Sequence, residues 1–229
     1  MVITVASFKG GVGKSTTAIH LAAYFQQHAP TMLVDGDPNR SVTDWGRPGK
    51  LPFAIVDERQ ATLHARRYEH IVIDTKARPE EEDLKALALG CHLLVIPCTP
   101  DPMSLRTLEM TVQSLKRIGA DRYRILLTIV PPKPQREGDD AREMLTNVGL
   151  PVFRTTIRRL VSFQRAVLQG TTVKDVQDPR SLWAMSRIVV LSNPSCRNSS
   201  SAAFRIFWLV SSAFVVAFVA VIELNMFKI

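Results

Sequence analysis

Apolar residues along this chain gather in short, unbroken runs rather than in strict alternation with polar ones. The runs fall at residues 2–6, 32–34, 53–56, 71–73, 93–96 and 125–130. A run of that length with no polar face predicts a strand covered on both sides, the situation inside a parallel sheet. Between the runs, segments 15–28, 58–68, 80–90, 104–119, 139–149 and 157–170 read as helices. Strand–helix alternation of this kind predicts a doubly wound, mostly parallel α/β sheet with helices on both faces. No internal repeat is visible.

The pattern changes near Arg187. Residues 1–186 read as one domain, and 187–205, rich in Ser and Asn, read as a linker. Residues 206–222 carry no charge and end at Glu223, which puts them at the short limit of a membrane span, roughly 17–25 residues. Arg187, Arg197 and Arg205 precede this run and only Lys228 follows. That bias would keep the amino-terminal side of a tail anchor in the cytoplasm. A buried last helix and an out-of-frame extension are the other readings of the tail, and all three stay open.

Composition narrows the class. With 229 residues, 46% hydrophobic and 22% charged, the chain has the balance of a folded domain and not of a disordered one. The net charge of +8 points to an anionic partner, nucleic acid or a lipid surface, or to nothing more than a solvated basic face. Three cysteines, Cys91, Cys98 and Cys196, have no metal-ligand spacing and an odd count. A reducing cytosol fits them better than a disulfide framework. No signal peptide precedes the first apolar run, so a cytoplasmic location is expected.

The chemistry concentrates after that run. In the pattern G-x-x-x-x-G-K-[ST] the first glycine position is held here by Phe8; what stands instead is K-G-G-x-G-K-[ST], with an additional lysine, Lys9. Gly10, Gly11 and Gly13, with Val12 between them, would let backbone amides curl round a β-phosphate, and a helix starting at Ser15 would add its positive end. Lys14 would reach the β- and γ-phosphates of ATP, Ser15 would ligate Mg²⁺ and Thr16 would face the α-phosphate. Asp74 ends the run 71–73, where a carboxylate can hold the Mg²⁺ shell. Asp35 and Asp37 end another strand, and strand ends face the ligand crevice in this architecture. Asp35 is a second candidate for the metal, or the cap of a turn. Asp37, extended before Pro38, is free to orient water.

These residues resemble the ParA/MinD family of deviant Walker ATPases. The likeness runs over about 1–186 through SFKGGVGKST, VDGDPNRS, IVIDTKARPEEEDL, LLTIVPPKP and IRRLVSFQRAVLQG. It is nearest to the short, single-domain McdA group that positions carboxysomes. The resemblance implies an ATP-driven sandwich homodimer in which Lys9 crosses to the partner's phosphates, Lys14 holds the nucleotide and Asp37 helps to activate water. It implies that Pro131 and Pro132 lie at the nucleotide, and that the ATP dimer binds nonspecific DNA. Arg158, Arg159, Arg165 and Lys174 are the residues expected to meet that DNA, and a solvated basic face is the alternative. A cargo-linked adaptor would stimulate a slow ATPase on the nucleoid.

The family's usual W-x-D-Y-like last helix is replaced here from Arg187 onward. A MinD-like membrane-associated regulator of division is the alternative function. A redox ATPase using Cys91 and Cys98 is disfavoured, since the two flank one strand about 23 Å apart at ~3.3 Å per residue. A kinase or ligase on the same fold lacks an acceptor-binding motif.

Overall fold

The computed structural model describes residues 1–176. The end of the expected domain, the linker at 187–205 and the apolar run 206–222 lie outside the described residues. Six strands form one all-parallel sheet: β1 (Val2–Val5), β2 (Thr31–Gly36), β3 (Ala54–Asp57), β4 (His70–Thr75), β5 (Leu93–Cys98) and β6 (Tyr123–Leu127). Their spatial order is β3-β2-β4-β1-β5-β6. The chain first winds toward β3 and later toward β6, so its direction changes beside β1. Ligands of open α/β sheets bind off the carboxyl ends of the strands at such a switch.

Alternate residues of each strand face opposite sides of the sheet, and both sides are covered by apolar clusters. Ile3, Val5, Leu33, Val72, Val95 and Leu126 pack with α1 (Lys14–Phe25) and with Trp45 and Ala166. On the other face Leu94, Ile96, Ile125 and Leu127 meet Leu84, Leu108, Val112, Leu115 and Leu145. Burial on both faces is why the sequence shows runs and not alternation. The remaining helices are α2 (Ser41–Gly46), α3 (Ala61–His64), α4 (Glu81–Gly90), α5 (Pro102–Arg117), α6 (Glu137–Asn147) and α7 (Val161–Gln169).

Several elements differ from the pattern-based expectation. The helix expected over 58–68 is broken: 3-10 turns at Glu58–Gln60 and Ala65–Arg67 flank the single α-turn of α3. Its start is set by Asp57, whose side chain accepts from the Arg59 amide at 2.8 Å. Helix α5 begins earlier than expected because Pro102 supplies a ready-made first turn and Asp101 caps it, accepting from the Ser104 amide at 2.9 Å. The strand expected to 130 ends at Leu127, since Ile129 turns into positive φ (52°).

The largest correction concerns the helix expected over 157–170. Residues 157–160 are extended, and α7 starts only at Val161. Ile157 donates its amide to Leu127 O at 2.8 Å, Val130 donates to Ile157 O at 3.0 Å, and Arg159 donates to Val130 O at 2.9 Å. Strand-like pairing with the end of β6 takes these backbone groups before a helix can. Helix α2 had no periodic signal and arises from a tertiary contact described below.

Candidate nucleotide site

Strand register assembles the site. Asp74 of β4 lies opposite Val5 on one side and Asp35 on the other. The chain leaving β1 therefore passes beside Asp74, with Asp35 one strand further out. Residues 6–13 form the loop between β1 and α1. Gly11 and Gly13 have φ of 74° and 83°, and Gly13 is the residue that caps α1. A side chain at either position would be strained in that left-handed region. No described residue accepts a hydrogen bond from the amides of Gly10, Gly11, Val12 or Gly13. Together with the uncapped first turn of α1 these amides make a concentrated set of free donors at a positive helix end. An anion is the chemistry that satisfies them.

Lys14 is buried at the foot of this loop, 7% exposed, and Asp74 beside it is wholly buried. Neither Asp74 oxygen makes a well-formed hydrogen bond. Burial pushes its carboxyl up to about 7, against the pull of the nearby Ser15 hydroxyl and the Lys14 ammonium, while Asp35 and Asp37 push the same way as burial. A buried carboxylate with unserved oxygens beside a serine hydroxyl fits a hard, oxygen-seeking divalent cation such as Mg²⁺. Its charge would replace the missing compensation at Asp74.

Asp35 is placed differently from Asp74. One of its oxygens accepts from the Thr43 amide at 2.9 Å and from the Thr43 hydroxyl at 2.5 Å; the other accepts from the Asp37 amide at 3.3 Å. The carboxylate is thus engaged by protein donors and anchors the first turn of α2. Asp37 is buried, and one oxygen accepts from the Asn39 backbone and side-chain nitrogens at 2.9 and 3.0 Å. Asn39 therefore holds the orientation of the Asp37 carboxylate.

Lys9 stands on the other side of the loop. Its ammonium donates to Asp101 at 2.9 Å and to Ser104 at 2.7 Å, with a third of the side chain exposed. Burial works against the Asp101 charge, but hydrogen bonds from Thr99, Ser104 and Lys9 outweigh it and hold this carboxyl far below the usual range. Neither Asp101 nor Ser104 carried a signal in the sequence beyond proximity to a proline.

Pro131 and Pro132 follow β6 at the same edge of the sheet as the loop. Arg40, Arg78 and Ile129 are the non-glycine residues of positive φ among those described, and they follow the ends of β2, β4 and β6. Strain of that kind gathers around ligand crevices. The four basic candidates do not share one helix. Arg158 and Arg159 are on the extended segment beside Val130, Arg165 is on α7, and Lys174 comes after it. All four are exposed, and none enters a salt bridge among the described residues. Cys91 and Cys98 are buried thiols, and burial pushes them up to about 11 and 12. Among the described residues no helix is long and apolar enough to cross a membrane.

Residues 3–173 match the family described as the CobQ/CobB/MinD/ParA nucleotide binding domain. The chain belongs to this family. Two similar relatives are maintenance of carboxysome distribution proteins A. That of Gloeobacter kilaueensis is 33% identical over 179 residues, covering 75% of this chain and 83% of the relative. That of Halothiobacillus neapolitanus is 24% identical over 184 residues, covering 75% and 85%. Among solved structures, a plasmid partition protein of Borrelia burgdorferi bound to AMPPNP superposes with a TM-score of 0.67 at 18% identity, over 83% of this chain and 97% of that one. An apo McdA of Cyanthece gives 0.65 at 15% identity, over 82% and 98%. These two likenesses show the ParA/MinD fold, and the glycine-rich loop described above lies at the point in that fold where the strand order reverses.

Proposed function

We propose that this chain is an ATPase that dimerises on ATP, binds DNA without reading sequence in that state, and positions a cargo with an adaptor protein. The similarity to carboxysome-distribution proteins supports a carboxysome as the cargo, with a plasmid or chromosome as the related alternative. The observation that carries the reading is the pairing of free loop amides with the buried, unpartnered Asp74, next to a lysine that lies outside the phosphate cradle.

In this reading the amides of residues 10–13 and Lys14 hold the phosphates, with Thr16 at the α-phosphate and Pro131 and Pro132 at the base. Ser15 and Asp74 hold Mg²⁺, which supplies charge stabilisation to the phosphates when bound. Asp35 keeps α2 and the Asp37 loop in place. Asp37 orients the attacking water. Lys9 leaves Asp101 and Ser104 and offsets phosphate charge across the dimer, so that the site is complete only in the pair. Slow turnover by the isolated chain follows.

Lys9 is the residue to test. Lys9→Ala is expected to retain ATP binding within a few fold, yet to stay monomeric with ATP and to lose ATP-dependent DNA binding. Sedimentation with a non-hydrolysable analogue and a DNA shift assay read both. A Lys9→Ala chain that dimerises and shifts DNA like the parent would end the sandwich mechanism for this protein.

A further inference from the structure

The glycine-rich stretch of the loop receives a hydrogen bond from a side chain beyond β6. Thr128, just past the end of β6, is 2% exposed, and its hydroxyl donates to the Val12 carbonyl at 2.8 Å. The Cys98 carbonyl lies at 3.3 Å from the same hydroxyl, but the Thr128 amide already serves it at 2.9 Å. The single hydroxyl proton therefore goes to Val12.

We infer that Thr128 is a positioning residue that sets the orientation of the Gly13 amide for the β-phosphate. The Val12–Gly13 peptide is planar and trans, so its carbonyl and its N–H point in opposite directions. Pinning the Val12 carbonyl toward β6 turns the Gly13 N–H away from β6, toward the open side of the loop. Without the pin, rotation of this peptide plane meets little resistance on its carboxyl side, because Gly13, at φ 83°, has no Cβ to oppose it. A flipped peptide would present an oxygen where the cradle needs a donor. The tie also joins the cradle to β6, whose continuation carries Pro131 and Pro132. Phosphate loop and base loop are thereby held in one register.

This inference rests on the nucleotide reading above, and its test separates the two. ATP, ADP and AMP binding are measured by calorimetry with Mg²⁺ on the full chain and on Thr128→Val, Thr128→Ala and Thr128→Ser. Val and Ala are expected to lose about tenfold in ATP and ADP affinity, the scale of one well-oriented hydrogen bond. Ser, which keeps the hydroxyl, is expected to bind within about twofold of the parent. AMP, lacking the β-phosphate, is expected to bind the parent and all three variants alike. A purely structural defect would lower AMP binding too. Should Thr128→Val fail to fold, Thr128→Ala, which adds no bulk, gives the same comparison. Parent-like ATP affinity in Thr128→Val or Thr128→Ala overturns the positioning role and leaves the nucleotide site standing. A parent chain that binds no nucleotide overturns both.

Discussion

At the scale of the residue, the site is marked by groups that find no partner among the described residues. Asp74 is the clearest case, a wholly buried carboxyl raised to about 7 by burial. The folded chain holds its proton up to about pH 7, whereas an unfolded carboxyl releases it near pH 4. Between those values the folded state binds more protons, so stability from this group falls as pH rises through the window and the cost is complete above it. Asp74→Asn is therefore expected to stabilise the nucleotide-free, chelator-treated protein at pH 8, by on the order of 1–3 kcal/mol. Thermal melts at pH 5 and pH 8 check this, with the gain confined to the higher pH. The same variant is expected to lose Mg²⁺-dependent ATP hydrolysis by roughly 100-fold or more. An unchanged melting temperature at pH 8 would mean that Asp74 finds a partner in solution.

At the scale of the element, α1 is tied to the segment after α7. His20, fully buried on α1, donates from Nδ1 to Thr16 O at 2.7 Å and accepts at Nε2 from the Val173 amide at 3.0 Å. Both bonds require the neutral imidazole with its proton on Nδ1. Trp45 of α2 adds a second tie, donating to Thr171 O at 2.9 Å. Burial lowers the His20 pKa to about 4, against 6.5 in an unfolded chain. The unfolded state binds more protons in that interval, so stability is lost as pH falls from about 6.5 toward 4. The loss from this group reaches about 2–3 kcal/mol at the acid end. Replacing His20 with Gln should flatten the stability–pH slope in that range, measured by urea denaturation. A slope as steep as the parent's would assign the acid sensitivity to other groups.

At the scale of the whole molecule, the sheet gathers at one edge what the chain keeps far apart, and the four basic candidates stand exposed on separate elements. Arg158 and Arg159 sit beside the end of β6, while Arg165 and Lys174 lie on α7 and just after it. A surface of separate, unpaired cations binds phosphates by counterion release and reads no bases. DNA affinity in the ATP state is thus expected to fall steeply with salt. Arg165→Ala and Lys174→Ala should each reduce the slope of log K against log salt by about 0.7–1. Slopes unchanged by either substitution would take α7 and its following segment out of the DNA surface.

How much of this was legible beforehand follows from which interactions are local. The glycine-rich loop was readable because Gly10, Gly11, Gly13, Lys14 and Ser15 meet a need that adjacent residues alone can satisfy: free amides and a lysine at a helix start. The six strands were readable because burial on both faces leaves unbroken apolar runs. Broken segments such as 58–68, and the extended start of 157–160, were not. Their backbone groups are taken by Asp57 and by β6, partners that no period in the sequence reveals. Asp35 is the instructive residue among the carboxylates. Its place at a strand end was visible, but only the fold shows Thr43 occupying it.

The sequence by itself thus determined the fold class, the glycine-rich loop between the first strand and helix, and the strand ends that carry Asp35, Asp37 and Asp74, because each is written in neighbouring residues. Only the tertiary structure decided what those residues touch. Parallel register sets Asp74 against Val5 and Asp35, burial strips it of partners, Asp101 and Ser104 receive Lys9, and Thr128 reaches across the sheet to Val12. The reason is physical: those contacts join residues far apart in the chain, and their geometry exists only once the sheet is covered on both faces.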